Sequence, residues 1–423
     1  EGLIIFLIVK NELSYDSFHK KADRTYRVTL NALDFNPSVS LVVVPALRND
    51  FPELEEVSQY WYQSTGLVKA GEARYNEKGF AYADCSFFKI FDYNWLAGDP
   101  RTALSDPNEV VLTASIAKKY FGDKDPLGQV INLDNEYNLK VTGIIKDVPA
   151  NTSLPFSFLV SYETVKKEAL AYPNFYNISG GNAFIVIPEN YSIQQLQRRM
   201  PAFITKNWGA EVSAGAQLLL QPLKEIHFDQ RYQQSPDSPT TSRETYWALV
   251  VVALFIIITA CINFINMATA QAIRRAKEVG VRKVLGAHRG QLVRQFLSET
   301  TLLVLIAVVL GTIAAAVFLP PVAVWMNLKI GVSQLWQPVI LLVLAGITVT
   351  VILLAGLYPA FVQSAFQPAV ALKSNTGFTF KGMGLRKVLV STQFCISQIL
   401  IAGTLIVGSQ MDFLQNKDLG FNK

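Results

Sequence analysis

Three histidines, three cysteines and a few adjacent acids are the residues through which this chain could do covalent or metal chemistry. Their spacing argues against it. His19, His227 and His288 are isolated from one another, as are Cys85, Cys261 and Cys395, and no HExxH, CxxC or GxSxG pattern occurs. Zinc needs several ligands at compatible spacing, and a serine nucleophile needs a strained strand-to-helix elbow. Acid pairs such as Glu55–Glu56 read as solvated surface, not as a general acid and base. There is no GxxxxGK[ST] loop, so the sequence offers no P-loop for binding and hydrolysing ATP. No catalytic residue, cofactor or metal site is assigned. NTS, NIS and NYS match the glycosylation pattern, which is too short to carry weight.

What remains is charge. RRAKEVGVRKVLGAHRG (274–290) packs six Arg or Lys residues and one acid, Glu278, between two long apolar runs, with Gly at 280, 286 and 290. Such a segment suits a topology signal, a contact with anionic lipid, a nucleic-acid patch, or a docking element for a partner protein. Nucleic acid is the weakest of these, because no aromatic residues are interleaved.

The elements around the segment narrow the choice. Half of the residues are apolar and 17% are charged, an unusual balance for a soluble chain of this length. Charges are common over 10–244 and then scarce, except in two basic clusters that account for much of the net +5. Apolar runs at 246–270, 301–319, 338–361 and 388–411 each reach the length needed to cross a bilayer. Pro320 and Pro321 are expected to end the second of these. The opening GLIIFLIV is too short to span and lacks a basic leader, so 1–10 reads as the end of a truncated membrane helix. QNKDLGFNK reads as a polar exit from the last helix, so a fragment is expected.

Orientation follows from the basic residues near the span ends. Arg274, Arg275, Lys277, Arg282, Lys283, Arg289 and Arg294 lie between the first two complete spans; Lys373, Lys381, Arg386 and Lys387 follow the third; the remaining connection holds only Lys329. Both basic segments, 271–295 and the linker 373–387, therefore belong in the cytoplasm, and 11–244 outside. No ionisable residue sits mid-span, which argues against an ion-coupled carrier. Thr259, Asn263, Asn266, Gln393 and Gln398 interrupt the spans as helix-to-helix hydrogen-bonding groups or as a substrate path.

Outside the membrane the pattern is mixed. TYRVTLNAL (25–33), EVVLTAS (109–115), LKVTGIIKDV (139–148), AFIVIP (183–188) and AQLLLQPL (216–223) are β-rich. Helices are expected at 42–50, 86–91, 114–121, 162–171 and 193–208, the last with an apolar stripe at 193, 196, 200, 203 and 204. The fold class is thus a multi-pass α-helical membrane domain plus an α+β extracytoplasmic domain. With Cys85 the sole cysteine in that domain, no disulfide can staple it.

The basic segment, with its EVGVRKVLGA core, resembles the signature of FtsX-like permeases, the MacB-type branch of ABC transporters. NELSYDSFHKKADRTYRV (11–28) resembles the junction of first helix and exported domain in the Bacteroidetes type. VVLTASIAKKYFGDKDPLGQVI with KVTGIIKDVP resembles the MacB-like periplasmic core, GLYPAFVQSAFQPAVALK (356–373) the end of the third span, and QNKDLGFNK the start of a second exported domain.

The resemblance implies an FtsX-like membrane domain over 245–372, a helix over 388–411 opening a second half, and the start of its exported domain over 412–423. A β-rich insert is placed roughly at 107–155. It implies no enzyme in this chain but a partner, a cytoplasmic ABC ATPase dimer, whose motion the permease transmits to exported domains, with efflux or export as the outcome. A periplasmic adaptor or other envelope partner and membrane lipids complete the partners; nucleic acid is not among them. The implied location is the bacterial inner membrane. A different class remains open: a transmembrane signalling protein that recruits or activates an envelope enzyme.

The resemblance also implies the coupling residues: Arg275, Lys277, Glu278, Gly280, Val281, Arg282, Lys283, Leu285 and Gly286. A helix continuing from the first span would act as a stiff rod, relaxed at Gly280 and followed by a short helix capped at Gly286. Val281, Val284 and Leu285 offer an apolar edge for an ATPase groove, with Glu278, Arg282 and Lys283 setting register by charge-assisted contacts.

Overall fold

A computed structural model describes residues 2–171, 173–177, 181–232, 240–326, 328, 330–364 and 383–416. The chain divides into two units, Glu12–Arg243 and the remainder, Glu1–Asn11 with Glu244–Lys423.

The unit Glu12–Arg243 is α+β. Its strands are β1 (Thr25–Asn31), β2 (Phe35–Asn36), β3 (Glu56–Ala70), β4 (Ala73–Ala83), β5 (Trp95–Gly98), β6 (Glu109–Thr113), β7 (Val130–Leu133), β8 (Tyr137–Ile145), β9 (Phe158–Ser161), β10 (Gly181–Val186) and β11 (Gln217–Pro222). Helix α1 (Gly2–Leu13) leads into the unit; α2 (Val43–Asp50), α3 (Phe87–Ile90), α4 (Ala114–Phe121), α5 (Lys166–Ala169), α6 (Ile193–Trp208) and α7 (Ala210–Gly215) follow.

The long strand β3 organises the unit. Along one edge it pairs with β4 from Tyr60 to Ala70. Along the other it pairs first with β10, through 56–61, and then with β7, through Val68 and Lys69. That change of partner creates two substructures. The sheet β11–β1–β10–β3 lies on one side, and β3–β4–β9–β6–β8–β7 returns to β3 as a closed six-stranded ring on the other. Closure removes the open edges that would otherwise invite aggregation.

Side-chain alternation fills both substructures. Val28, Leu30, Ala183, Ile185 and Leu218 face Val43, Leu47, Leu196, Met200 and Phe203 of α2 and α6. The opposite side of β10 is buried as well, with Phe184 and Val186 packing among Phe87, Phe91 and Leu223. Burial on both faces is why AFIVIP is a continuous apolar run. Val68, Phe80, Leu112, Ile131, Leu133, Leu139, Val141 and Phe158 belong to the core inside the ring, where the Phe80 and Phe158 rings stack at 4.9 Å. The ring is a packed core.

The β3–β4 hairpin was invisible in the sequence because polar residues break its pattern. Gln59, Gln63, Ser64 and Thr65 lie in β3, whose burial changes rhythm where the partner changes. Strands β6, β7 and β8 fall within 107–155, but they close only with β3, β4 and β9 from outside it. The helix expected over 162–171 is a 3-10 turn, Tyr162–Thr164, followed by the single turn of α5. By contrast α6 runs as its stripe dictates, with the Ser192 side chain accepting from the Gln195 N–H.

In the other unit, α8 (Arg243–Val284), α9 (Arg289–Trp325), α10 (Pro338–Ser364) and α11 (Met383–Asn416) contain, among the described residues, four stretches apolar and long enough to cross a bilayer, Arg243–Gln271, Arg289–Trp325, Pro338–Val362 and Lys387–Leu414. Pro320 and Pro321 do not end α9, which continues to Trp325. Each proline forgoes a backbone donor inside the helix, a cost set against the packing of Leu319 in a cluster with Leu7, Ile8, Ile330, Leu335 and Ile340. Gly356 of α10 lets α9 approach closely: a Cβ there would lie 3.0 Å from Leu297 Cδ1 and 3.1 Å from Thr300 Cγ2. Most of the linker 373–387 and residues 417–423 lie outside the described residues.

Candidate functional site: the basic helical corner

The basic segment forms the corner where α8 turns into α9. Helix α8 is continuous for 42 residues, roughly 63 Å, and passes through the buried Gly280 without a break. The expected relaxation at Gly280 is therefore absent, because the helical backbone keeps its hydrogen bonds and Val279 beside it is clamped. Val279 packs with Leu292 and Phe296 of α9 and Ala360 of α10.

The helix stops at Gly286, which takes φ +98°. The Ala287 N–H donates to the Arg282 carbonyl at 2.9 Å and the Gly286 N–H to the Lys283 carbonyl at 3.1 Å. These are the two bonds of a Schellman motif, which satisfies the last carbonyls of α8. Two residues on, His288 caps α9, its backbone N–H donating to Gln291 Oε1 at 3.0 Å in a reciprocal capping arrangement. The corner is thus a tight, fully specified stop and start.

Its charged residues turn inward along the helices. Arg275 reaches Glu299 Oε2 of α9 at 2.7 Å. Arg282 bonds Glu278 one turn earlier and Gln295 Oε1 at 2.6 Å, while Gln295 in turn donates to Glu299 Oε1 at 3.2 Å. Lys283 Nζ donates to the Ser364 carbonyl at 2.7 Å, and Arg289 Nε to the Ser364 hydroxyl at 3.3 Å. Cations at the C-terminal end of α10 complement its dipole. Four basic residues therefore stitch the corner to α9 and α10.

Among the sequence-derived residues, Arg275, Glu278, Arg282 and Lys283 come together in this network, whereas the Lys277 side chain lies outside the described residues. The apolar residues do the opposite. Val281 is 46% exposed, Val284 65% and Leu285 81%. Their partners were missed: Gln295, Glu299 and Ser364 lie far along the chain, and only Glu299, a lone acid in an apolar stretch, carried a signal. No group of three or more potential metal ligands exists among the described residues.

The family described as MacB-like periplasmic core domain matches residues 3–203, and that described as FtsX-like permease C-terminal matches residues 250–368. The macrolide export ATP-binding/permease protein MacB of Bdellovibrio bacteriovorus is 24% identical over 62% of this chain and 38% of its own length. The ABC transporter permease YknZ of Bacillus subtilis is 24% identical over 62% of this chain and 61% of its own. A crystal structure of the periplasmic region of MacB from Actinobacillus actinomycetemcomitans aligns with 48% of this chain and 91% of that one, with a TM-score of 0.37 and 12% identity. The match spans less than two thirds of the length of these curated relatives.

Proposed function

From a chain that carries the domain architecture of the FtsX/MacB-type permeases, we propose a permease subunit that couples ATP hydrolysis by a separate cytoplasmic ABC ATPase to conformational change of its extracytoplasmic domain. The chain is a multi-pass inner-membrane protein with a large extracytoplasmic domain. Energy enters at the corner, travels along the membrane helices, and drives efflux or export.

One observation carries this reading. The unbroken α8 ends in a corner where Arg275, Arg282, Lys283 and Arg289 bond to α9 and α10, while Val281, Val284 and Leu285 form an exposed apolar edge. A rigid helix end with an apolar edge fits a helix-in-groove contact with a protein. Topology signals and lipid contacts require only charge. Arg275, Lys277, Glu278, Arg282 and Lys283 then act through the corner's shape, and Gly280 and Gly286 through its backbone path.

The test is Leu285→Asp combined with Val284→Asp, with the cognate ABC ATPase co-expressed. Co-purification should fall at least about ten-fold, as for loss of an interface hot spot. Membrane insertion and thermal stability should not change, because both side chains are exposed. Undiminished co-purification and ATPase stimulation would overturn the assignment.

A further inference from the structure

A second polar cluster, unrelated to the corner, lies where the chain enters and leaves the extracytoplasmic unit. Glu12 sits in the last turn of α1 and is 5% exposed. Its Oε2 lies 2.8 Å from Nε2 of His227, which is 3% exposed. The Tyr15 ring stacks on this imidazole at 3.5 Å and 6°, and Phe228 meets it edge-on at 5.2 Å.

The backbone of the same residue holds a different segment. The His227 carbonyl accepts from the Thr241 N–H at 2.9 Å, just before α8 begins at Arg243. Arg243 is fastened to this stretch too, through Glu225 at 2.7 Å and by lying 4.7 Å over the Phe228 ring. On the α1 side, the turn after Glu12 is pinned by the buried Asp16. Its carboxylate accepts from Thr152 Oγ1 at 2.7 Å and from the Ser153 N–H at 3.0 Å.

We propose that His227 is a mechanical joint: its side chain grips the end of α1 while its carbonyl grips the lead-in to α8, so the two segments are held as one. Burial makes the grip stiff. Removing one partner of a buried hydrogen bond leaves the other unsatisfied away from water, so slippage is opposed more strongly than at an exposed contact. The stacked Tyr15 ring adds direction, since a displaced imidazole loses the ring contact and the carboxylate together. A displacement of either segment must then be felt by the other. The inference does not depend on the ATPase reading and stands or falls separately.

The experiment is hydrogen exchange, followed by mass spectrometry, on the full chain in lipid nanodiscs. It reads peptides covering 9–20 and 223–245, with β6 and β8 as internal controls. His227→Phe keeps a ring against Tyr15 but removes the N–H. It should accelerate exchange about ten-fold or more in both peptides while β6 and β8 stay protected. Glu12→Gln, which keeps an acceptor, should do less, and Glu12→Leu with His227→Phe should recover protection by making the contact apolar. Acceleration confined to 223–245, or a loss spread through β6 and β8, would overturn the joint.

Discussion

The corner at 274–290 and the junction around His227 use the same chemistry, acid paired with base, in opposite surroundings. At the corner, Arg275 and Glu299 are 46% and 42% exposed, and Arg282 and Glu278 are 41% and 54% exposed. At the junction, His227 and Glu12 are 3% and 6% exposed. Exposed pairs contribute about 0–1 kcal/mol, whereas leaving one partner of a buried hydrogen bond unsatisfied costs about 1–3 kcal/mol. The corner's charged pairs sit in water, and its shape rests on the helix stop at Gly286 and the packing of Val279. The junction's contacts are buried and hold one geometry.

Three measurements sharpen or break that contrast. The largest effect is expected at His19, the other buried histidine of the extracytoplasmic unit, packed against Phe18, Phe91 and Tyr93. Its Nδ1 accepts from the Asp92 N–H at 3.0 Å, and burial pulls its pKa from 6.5 down to about 4, against the raising influence of Asp92. The folded state therefore binds fewer protons than the unfolded one between pH 6.5 and about 4. His19 contributes fully above that window, and its contribution is lost as pH falls through it, on the order of 3 kcal/mol in all. Asp16, raised by burial, acts with the opposite sign. His19→Phe should flatten the acid limb of urea-unfolding stability; an unchanged limb would remove His19 from the buried set.

A middle effect is expected from Gly286→Val. A β-branched residue at φ +98° breaks the Schellman stop and should destabilise the corner by about 1–2 kcal/mol, measured as the melting temperature of the detergent-purified chain. The smallest belongs to Arg282→Ala. Losing its exposed pair with Glu278 and its bond to Gln295 should cost under about 1 kcal/mol and shrink further in high salt. A loss as large as that at His19 would mean that the corner is as rigid as the junction.

The parts of the fold legible in sequence are those with a strong local period. The stripe of α6 and the apolar, β-rich runs of β1, β6, β8, β10 and β11 announce themselves within a dozen residues. The β3–β4 hairpin did not, because β3 serves two partners on one edge and its pattern follows neither alone. At the candidate site, Gly286 and the exposed Val281, Val284 and Leu285 could be read from position and type. The inward direction of Lys283 and Arg289 could not, because Ser364 lies some seventy or more residues away.

By itself the sequence determined where the chain can cross a membrane, since span length depends only on apolar residues against a bilayer of fixed thickness. It also determined that the corner is basic and ends at a glycine. Tertiary structure alone decided that β7 closes the ring between β3 and β8, that Arg275, Arg282, Lys283 and Arg289 reach α9 and α10, and that Glu12 meets His227. Each of those depends on which distant segment arrives. Partner choice is a property of the packed whole, where register and burial are settled together, and no local period encodes it.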